Sequence, residues 1–384
     1  MANSFYDMVN MFNNLSVCYF DDDLPDEVMI EILKNVETED LIRCHELGHI
    51  RLRNICKDES LWKKVDFSEK TVTASYIKKF IYNGFAQCLN LAQSKIVGSF
   101  GSLPKLLEKG GSVKYLNLSQ TIADALELET LISSCRNVEK ISLASLSLDP
   151  EQTHFRFLEL QVLDLGAFCG MNKRFMRRLL YSENLTEISL RCTRNSSNTL
   201  MAHKSEVIKY LVEHLSEDVE KVSLSGIHCL TDEHIETLVS RCKKIKELEL
   251  SGCRSITGNS LTSIAKHLEQ LVKLDVSMAG IHGPPQQLPL LGLEFFFDFQ
   301  SKASLKVLNC QHPNRSPLEI EYLQQLMPQV VINFDAFGGD LGIANPNKQL
   351  SSQDGTQIQT FSSNENFDRN QITTKPKFGL WEIK

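Results

Sequence analysis

The residues that could do chemistry are His45, Glu46 and His49, which with Leu47 and Gly48 spell HELGH. On a helix this spacing puts two imidazoles on one face, where both can hold a zinc ion, with the glutamate placed as general base of a hydrolase. Such a site needs a third ligand. The extended pattern would bring Gly and then His soon after, whereas the chain continues IRLRNIC, and nothing singles out Glu59 or Glu69 downstream. HELGH therefore reads as two histidines on a docking helix, and no metal, cofactor or catalytic residue is expected. Cys135, Cys242 and Cys253 recur at equivalent places in a repeat, where small thiols fill buried space. Phe295 to Phe299 reads as packing inside an insertion. No GxSxG, phosphate-cradling glycine loop or paired-acid motif is present.

The element that must carry HELGH runs from Leu24 to Phe67. Asp21, Asp22 and Asp23 ahead of Leu24 and Pro25 suit a helix start, because carboxylates satisfy its orphan N–H groups and its dipole. Val28, Ile32, Leu33 and Val36 then form one helical stripe. Thr38 to Asp40 opens a second helix with Leu41, Ile42 and Leu47, and Ile50, Leu52 and Ile55 mark a third. Asp58 starts a last turn bearing Leu61 and Trp62. Four short helices enclose little interior, so a neighbour must cover some of their apolar surface.

From Val113 a pattern apolar-x-x-apolar-x-Leu returns at Val138, Leu160, Leu185, Val219, Ile245, Leu271 and Leu305. A period of about 25 residues with this signature is that of leucine-rich repeats. Two repeats show the whole unit, in which Thr231-Asp232 or Thr257-Gly258 follows the strand and starts a helix. The expected fold is α/β: a right-handed leucine-rich-repeat solenoid of parallel strands backed by helices, behind a small all-α bundle. Expected boundaries are a flexible leader at 1–20, the bundle at 21–67, a linker with degenerate capping repeats at 68–112, repeats at 113–337 and a polar tail at 338–384. Insertions fall at Thr193 to Ser205 and Gly283 to Phe299. Side chains at the variable strand positions, Glu247 and Glu249 among them, face away from the helices on a concave surface suited to binding. Phe378 to Lys384, with Trp381, reads as a tail segment that docks back, along that surface.

Composition narrows the partners. Lys and Arg total 41 against 48 Asp and Glu, a net charge of −7, so neither nucleic acid nor anionic lipid is favoured. The eleven cysteines include no CxxC pair, as expected of reduced thiols in the nucleus or cytoplasm. Neither a signal peptide nor an apolar run long enough to span a membrane is legible.

LPDEVMIEIL, TEDLIRC and DESLWKKVDFS together resemble the F-box, and repeats behind them resemble the F-box/leucine-rich-repeat family. That resemblance implies a non-catalytic substrate receptor of a cullin–RING ubiquitin ligase, bound through a Skp-type adaptor. Leu24, Pro25, Ile32, Leu33, Leu41 and Trp62 would supply the adaptor-binding surface. The third helix departs from the family's Val-Cys-x-x-Trp, whose positions fall on Gly48, His49 and Leu52, which implies weaker adaptor binding. One member uses a concave-face Trp, an Asp and two Arg for an accessory phosphate-reading subunit and a phosphorylated substrate. The matching positions are Cys192, Gly252, His228 and Met278, so the substrate does not carry over with the fold.

Overall fold

The computed structural model describes residues 24–47, 50–83, 86–101, 111–148, 157–168, 171–192, 205–280, 292–311 and 316–333. Helices α1 (Asp26–Leu33), α2 (Thr38–Leu47) and α3 (Ile50–Ile55) and a 3-10 turn (Glu59–Trp62) form the amino-terminal bundle. Pro25 occupies the N-cap of α1 with no side-chain cap; Asp21 to Asp23 lie outside the described residues. As expected, Asp58 opens the last turn, its carboxylate accepting the Ser60 N–H at 2.9 Å. Leu33, Leu41, Ile55, Cys56, Leu61 and Trp62 form the bundle's own small core. The Trp62 indole N–H donates to the Cys56 carbonyl at 2.8 Å, so its polar atom is satisfied indoors.

The bundle is welded to the start of the sheet. Strands β1 (Lys64–Asp66) and β2 (Thr71–Thr73) lead into α4 (Ala74–Asn83). Phe80 on α4 meets Trp62 at a ring separation of 5.3 Å and Phe67 at 5.7 Å. It belongs to the edges of both apolar clusters, that of the bundle and that of the sheet. Across the same seam the Asp66 N–H donates to Thr38 Oγ1 at 2.9 Å, and Lys70 pairs with Glu39 at 3.2 Å.

Further along come β3 (Cys88–Asn90), β4 (Lys95–Val97), β5 (Tyr115–Asn117), β6 (Lys140–Ser142), β7 (Val162–Asp164), β8 (Glu187–Ser189), β9 (Lys221–Ser223), β10 (Glu247–Glu249), β11 (Lys273–Asp275), β12 (Val307–Asn309) and β13 (Val331–Asn333). Among the described residues, β1, β3 and β5 to β13 make one parallel sheet of 11 strands in chain order, with β2 and β4 pairing separately. The sheet thus starts inside the stretch expected to be all-helical, and the expected capping segment supplies its second strand, so the repeats begin well before Val113. VDF and LNL already carry the apolar-x-apolar core of the repeat, but the residues ahead of them depart from the full consensus.

Each strand is three residues long. Its middle side chain points into the core, and its first and third point the other way. Val65, Leu89, Leu116, Ile141, Leu163, Ile188, Val222, Leu248, Leu274 and Leu308 are the buried middle residues. Helices such as α5 (Ala125–Ser134), α6 (Lys173–Leu179), α7 (Ser205–His214), α8 (Asp232–Arg241), α9 (Gly258–His267) and α10 (Pro317–Leu326) cover them. Thr231 and Thr257 cap α8 and α9 as expected. The Phe-rich segment forms a 3-10 turn (Leu293–Phe299) that buries Phe296 and Phe299.

Between strand and helix most repeats turn on one backbone device. Glu69, Gln93, Gln120, Ser145, Ala167, Gly226, Gly252 and Met278 have φ between 52° and 77°. Each donates its N–H to a carbonyl of the next repeat, as Gly226 does to Ser251 at 2.7 Å and Met278 to Gln311 at 2.8 Å. Most carry a side chain, at a cost of about 1–2 kcal/mol apiece for the left-handed conformation. Gly226 is different, because a methyl group there would collide with the Cys192 carbonyl.

Candidate functional site

Two surfaces are candidates, one on the bundle and one on the sheet. On the bundle, Pro25, Val28 and Ile32 stand three and four residues apart on α1 and share a face. Pro25 is exposed, and Val28 and Ile32 are exposed at 41% and 48%. Ile50, at the start of α3, is exposed at 71%. Arg51, the next residue, donates to Asp26 Oδ1 at 2.7 Å and to the Leu24 carbonyl at 2.5 Å, drawing α3 to the start of α1. Half-buried Leu24 sits under that clamp. Leu33, Leu41 and Trp62 face the other way, into the bundle core. Half-buried Leu52, at the family's Trp position, packs on the same core. The sequence stripe thus divides: Leu33 points in, while Val28 and Ile32 point out. Sequence reasoning missed Ile50 for this surface, and its isolation between His49 and Arg51 was the only signal.

The HELGH histidines do not form a described site. His45 is exposed and His49 lies outside the described residues. Glu46 has another occupation, accepting the Tyr76 hydroxyl at 3.3 Å across the bundle–sheet seam. Burial, reinforced by that carboxylate, pushes the Tyr76 phenol up to about 12. Among the described residues no three His, Cys, Asp or Glu side chains converge in a metal-holding group.

On the sheet, the first and third strand positions form two columns on the face turned away from the helices. In register, the first runs Lys64, Cys88, Tyr115, Lys140, Val162, Glu187, Lys221, Glu247, Lys273, Val307 and Val331. The second runs Asp66, Asn90, Asn117, Ser142, Asp164, Ser189, Ser223, Glu249, Asp275, Asn309 and Asn333. Glu247 and Glu249 fall where the sequence put them, but neither stands alone. Lys221 bridges Glu187 at 3.2 Å and Glu247 at 3.4 Å, and Lys273 pairs with Glu249 at 2.8 Å. Burial raises the Glu249 carboxyl, yet Lys273, with help from Ser223 and Arg191, outweighs it and holds the group below the usual range. Lys221, Lys273 and the hydroxyl column escaped sequence reasoning. Only the strand register aligns them, and that register is not visible within one repeat.

Cys192, Gly252 and Met278 share the lip of this face, each giving its N–H to the next repeat. Exposed His228 lies beyond the Gly226 turn, and the partial desolvation of its ring together with Arg254 lowers the pKa of its imidazole from the ordinary value. Trp381 lies outside the described residues.

A family model described as F-box-like matches residues 21–68. F-box/LRR-repeat protein 12 of Homo sapiens is 21% identical over 275 residues, covering 68% of this chain and 73% of that protein. Its Bos taurus counterpart is 22% identical over 268 residues, with the same shares. Among solved structures, the leucine-rich repeat-containing protein LegL7 of Legionella pneumophila matches at TM-score 0.39 and 14% identity, covering 68% of this chain and 89% of that chain. These matches do not single out the S-phase kinase-associated F-box protein, the member whose concave-face residues fall on Cys192, Gly252, His228 and Met278.

Proposed function

We propose that this chain, an F-box/leucine-rich-repeat protein by its matched domain and its repeats, is a substrate receptor of an SCF-type ubiquitin ligase. The observation that carries the reading is the coincidence of the F-box-like match with a bundle that leaves Pro25, Val28, Ile32 and Ile50 outside its own core. A Skp-type adaptor would cover that apolar face, and cullin and RING subunits would join through the adaptor. The sheet face with its two side-chain columns would hold the target protein, in the nucleus or cytoplasm.

The receptor then makes and breaks no bond. It raises the effective concentration of target lysines beside an E2 carrying ubiquitin, and positioning alone accounts for a large rate gain. Phosphorylation of the target, an accessory subunit and a cell-cycle role belong to one relative's substrate, whose residues are not kept here. Catalysis by His45, Glu46 and His49 is the second reading, and the engagement of Glu46 by Tyr76 disfavours it.

Co-expression with a Skp-type adaptor tests the receptor reading. A stable complex on gel filtration that Ile32→Asp or Ile50→Asp abolishes is the expected result. A folded chain that elutes without the adaptor overturns it and leaves a repeat scaffold. Zinc analysis of untagged protein separates the hydrolase reading: stoichiometric zinc lost in His45→Ala would restore it.

A further inference from the structure

Along the solenoid, surface cations meet carboxylates of the neighbouring repeat: Lys114 pairs with Glu139, Arg241 with Glu217, Lys244 with Asp218 and Lys246 with Glu220. Helix α6 departs from this. From Met171 to Tyr181 the chain carries Lys173, Arg174, Arg177 and Arg178 and no Asp or Glu, in a protein whose net charge is −7. Lys173, Arg174 and Arg177 are exposed. Arg174 and Arg178 are engaged with other groups, so the weight falls on Lys173 and Arg177. Lys173 lies 5.2 Å from the ring centre of Tyr210 on α7, and among the described residues no carboxylate pairs with it or with Arg177. On the same α7, Glu213 is already held by Lys209 at 4.0 Å.

Helix stability does not account for this placement. Lys173 stands in the first turn, where a cation opposes the positive end of the helix dipole, and like charges four residues apart repel. Of the two, only Arg177, in the last turn, suits the dipole. They share one face, about 6 Å apart along the axis. Tyr181 follows the C-cap Leu180, four residues past Arg177, and is exposed at 57%. The next residue, Ser182, donates its hydroxyl to the Leu158 carbonyl at 3.1 Å, which brings in Leu158, exposed at 61%. A short cationic stripe thus ends in exposed apolar surface.

We propose that Lys173, Arg177 and Tyr181 form a docking stripe for an acidic protein segment, in which carboxylates are followed by an aliphatic or aromatic side chain. One carboxylate pairs with the Lys173 ammonium, and another takes two parallel N–H bonds from the Arg177 guanidinium. The apolar side chain packs on Tyr181 and Leu158. A nucleic acid or an anionic membrane extends beyond so short a stripe and meets the negative charge of the rest of the chain, whereas a short segment meets only the stripe. The stripe lies in the helix layer, so a partner held there leaves the two columns of the sheet face open to the target.

The probe is a fluorescein-labelled peptide of six glutamates followed by two leucines, read by anisotropy against the purified full-length chain, with octaglutamate and octalysine as counterparts. The peptide should bind, more weakly as salt rises, and octalysine should not. The double variant Lys173→Gln, Arg177→Gln should weaken it about fivefold or more, as for loss of two exposed ion pairs. Tyr181→Ala should weaken the leucine-bearing peptide and leave octaglutamate unchanged. Lys266→Gln, the same charge change on exposed α9, should leave both unchanged. Reversal by Lys173→Glu and Arg177→Glu should exchange the preference for octalysine. All variants should keep the parent's melting temperature and adaptor co-purification, so a loss of peptide binding reports the stripe and neither the fold nor the receptor reading. A parent that ignores the peptide, or a double variant that binds it like the parent, overturns the stripe. Oligothymidylate or phosphatidylserine vesicles that bind more tightly than the peptide, and are lost in the double variant, overturn the protein partner.

Discussion

Single residues on the lip carry unequal burdens although their backbone conformation is shared. Gly226→Ala meets both the left-handed φ of 77° and a collision with the Cys192 carbonyl. Gly252→Ala meets a φ of 70° but nothing nearer than 3.8 Å. Urea unfolding should show about 1 kcal/mol lost at Gly252 and at least about twice that at Gly226. Titration offers a second check, on the Glu249–Lys273 pair. The Glu249 carboxyl is lowered in the fold, so its contribution is present above the ordinary 4.5 and is lost as pH falls through the folded value. Lys273 is pushed down by burial but raised on balance by its carboxylate neighbours, so its contribution is present below the ordinary 10.5 and is lost as pH rises through the folded value. Thermal melts should therefore be flat through neutrality and fall at both ends, and Lys273→Met should blunt the acid limb. At this scale the sequence was a partial guide. Glu247 and Glu249 were legible because strand alternation alone puts them on the face. The lysines that pair with them, Lys221 and Lys273, were not, because only the strand register brings them beside these carboxylates.

At the scale of elements, α1 shows how one apolar stripe can serve two sides, with Ile32 outside as expected and Leu33 inside. Val28, Ile32 and Leu33 do lie on α1, which ends before Val36, and their stripe is broader than a bundle of this size can bury. Leu33 takes the interior, and Val28 and Ile32 are left out. This separates two kinds of variant. Ile32→Asp should leave the melting temperature almost unmoved, as surface changes do, while removing adaptor binding. Trp62→Ala should cost about 3–5 kcal/mol through the cavity left beside Phe80, and should lose the adaptor only by loosening the bundle. Circular dichroism melts alongside pull-downs tell the two apart. HELGH was equally legible as a motif and equally dependent on its surroundings. Glu46 faces Tyr76 on α4, and no reading confined to the bundle could have supplied that partner.

For the molecule described from Leu24 to Asn333, the repeat pattern gave the architecture because each repeat states the same strand, turn and helix again. Where the consensus faded, at VDF and LNL, the sheet continued nonetheless, since pairing to a neighbouring strand needs only backbone and one buried side chain. The seam at Trp62, Phe67, Tyr76 and Phe80 makes bundle and sheet share side chains. Phe80→Ala should therefore turn a single thermal transition into two, with the bundle melting first; one unchanged transition would show that the seam contributes little. The left-handed lip has a different kind of consequence. Glutamate, glutamine, serine, alanine, glycine and methionine all occupy the same turn position, and the turn is held by an N–H that every one of them possesses. Inherited changes at that position are thus nearly interchangeable for the scaffold, with Gly226 the exception. A lineage could rewrite the rim of this surface one repeat at a time and keep a folded protein at every step.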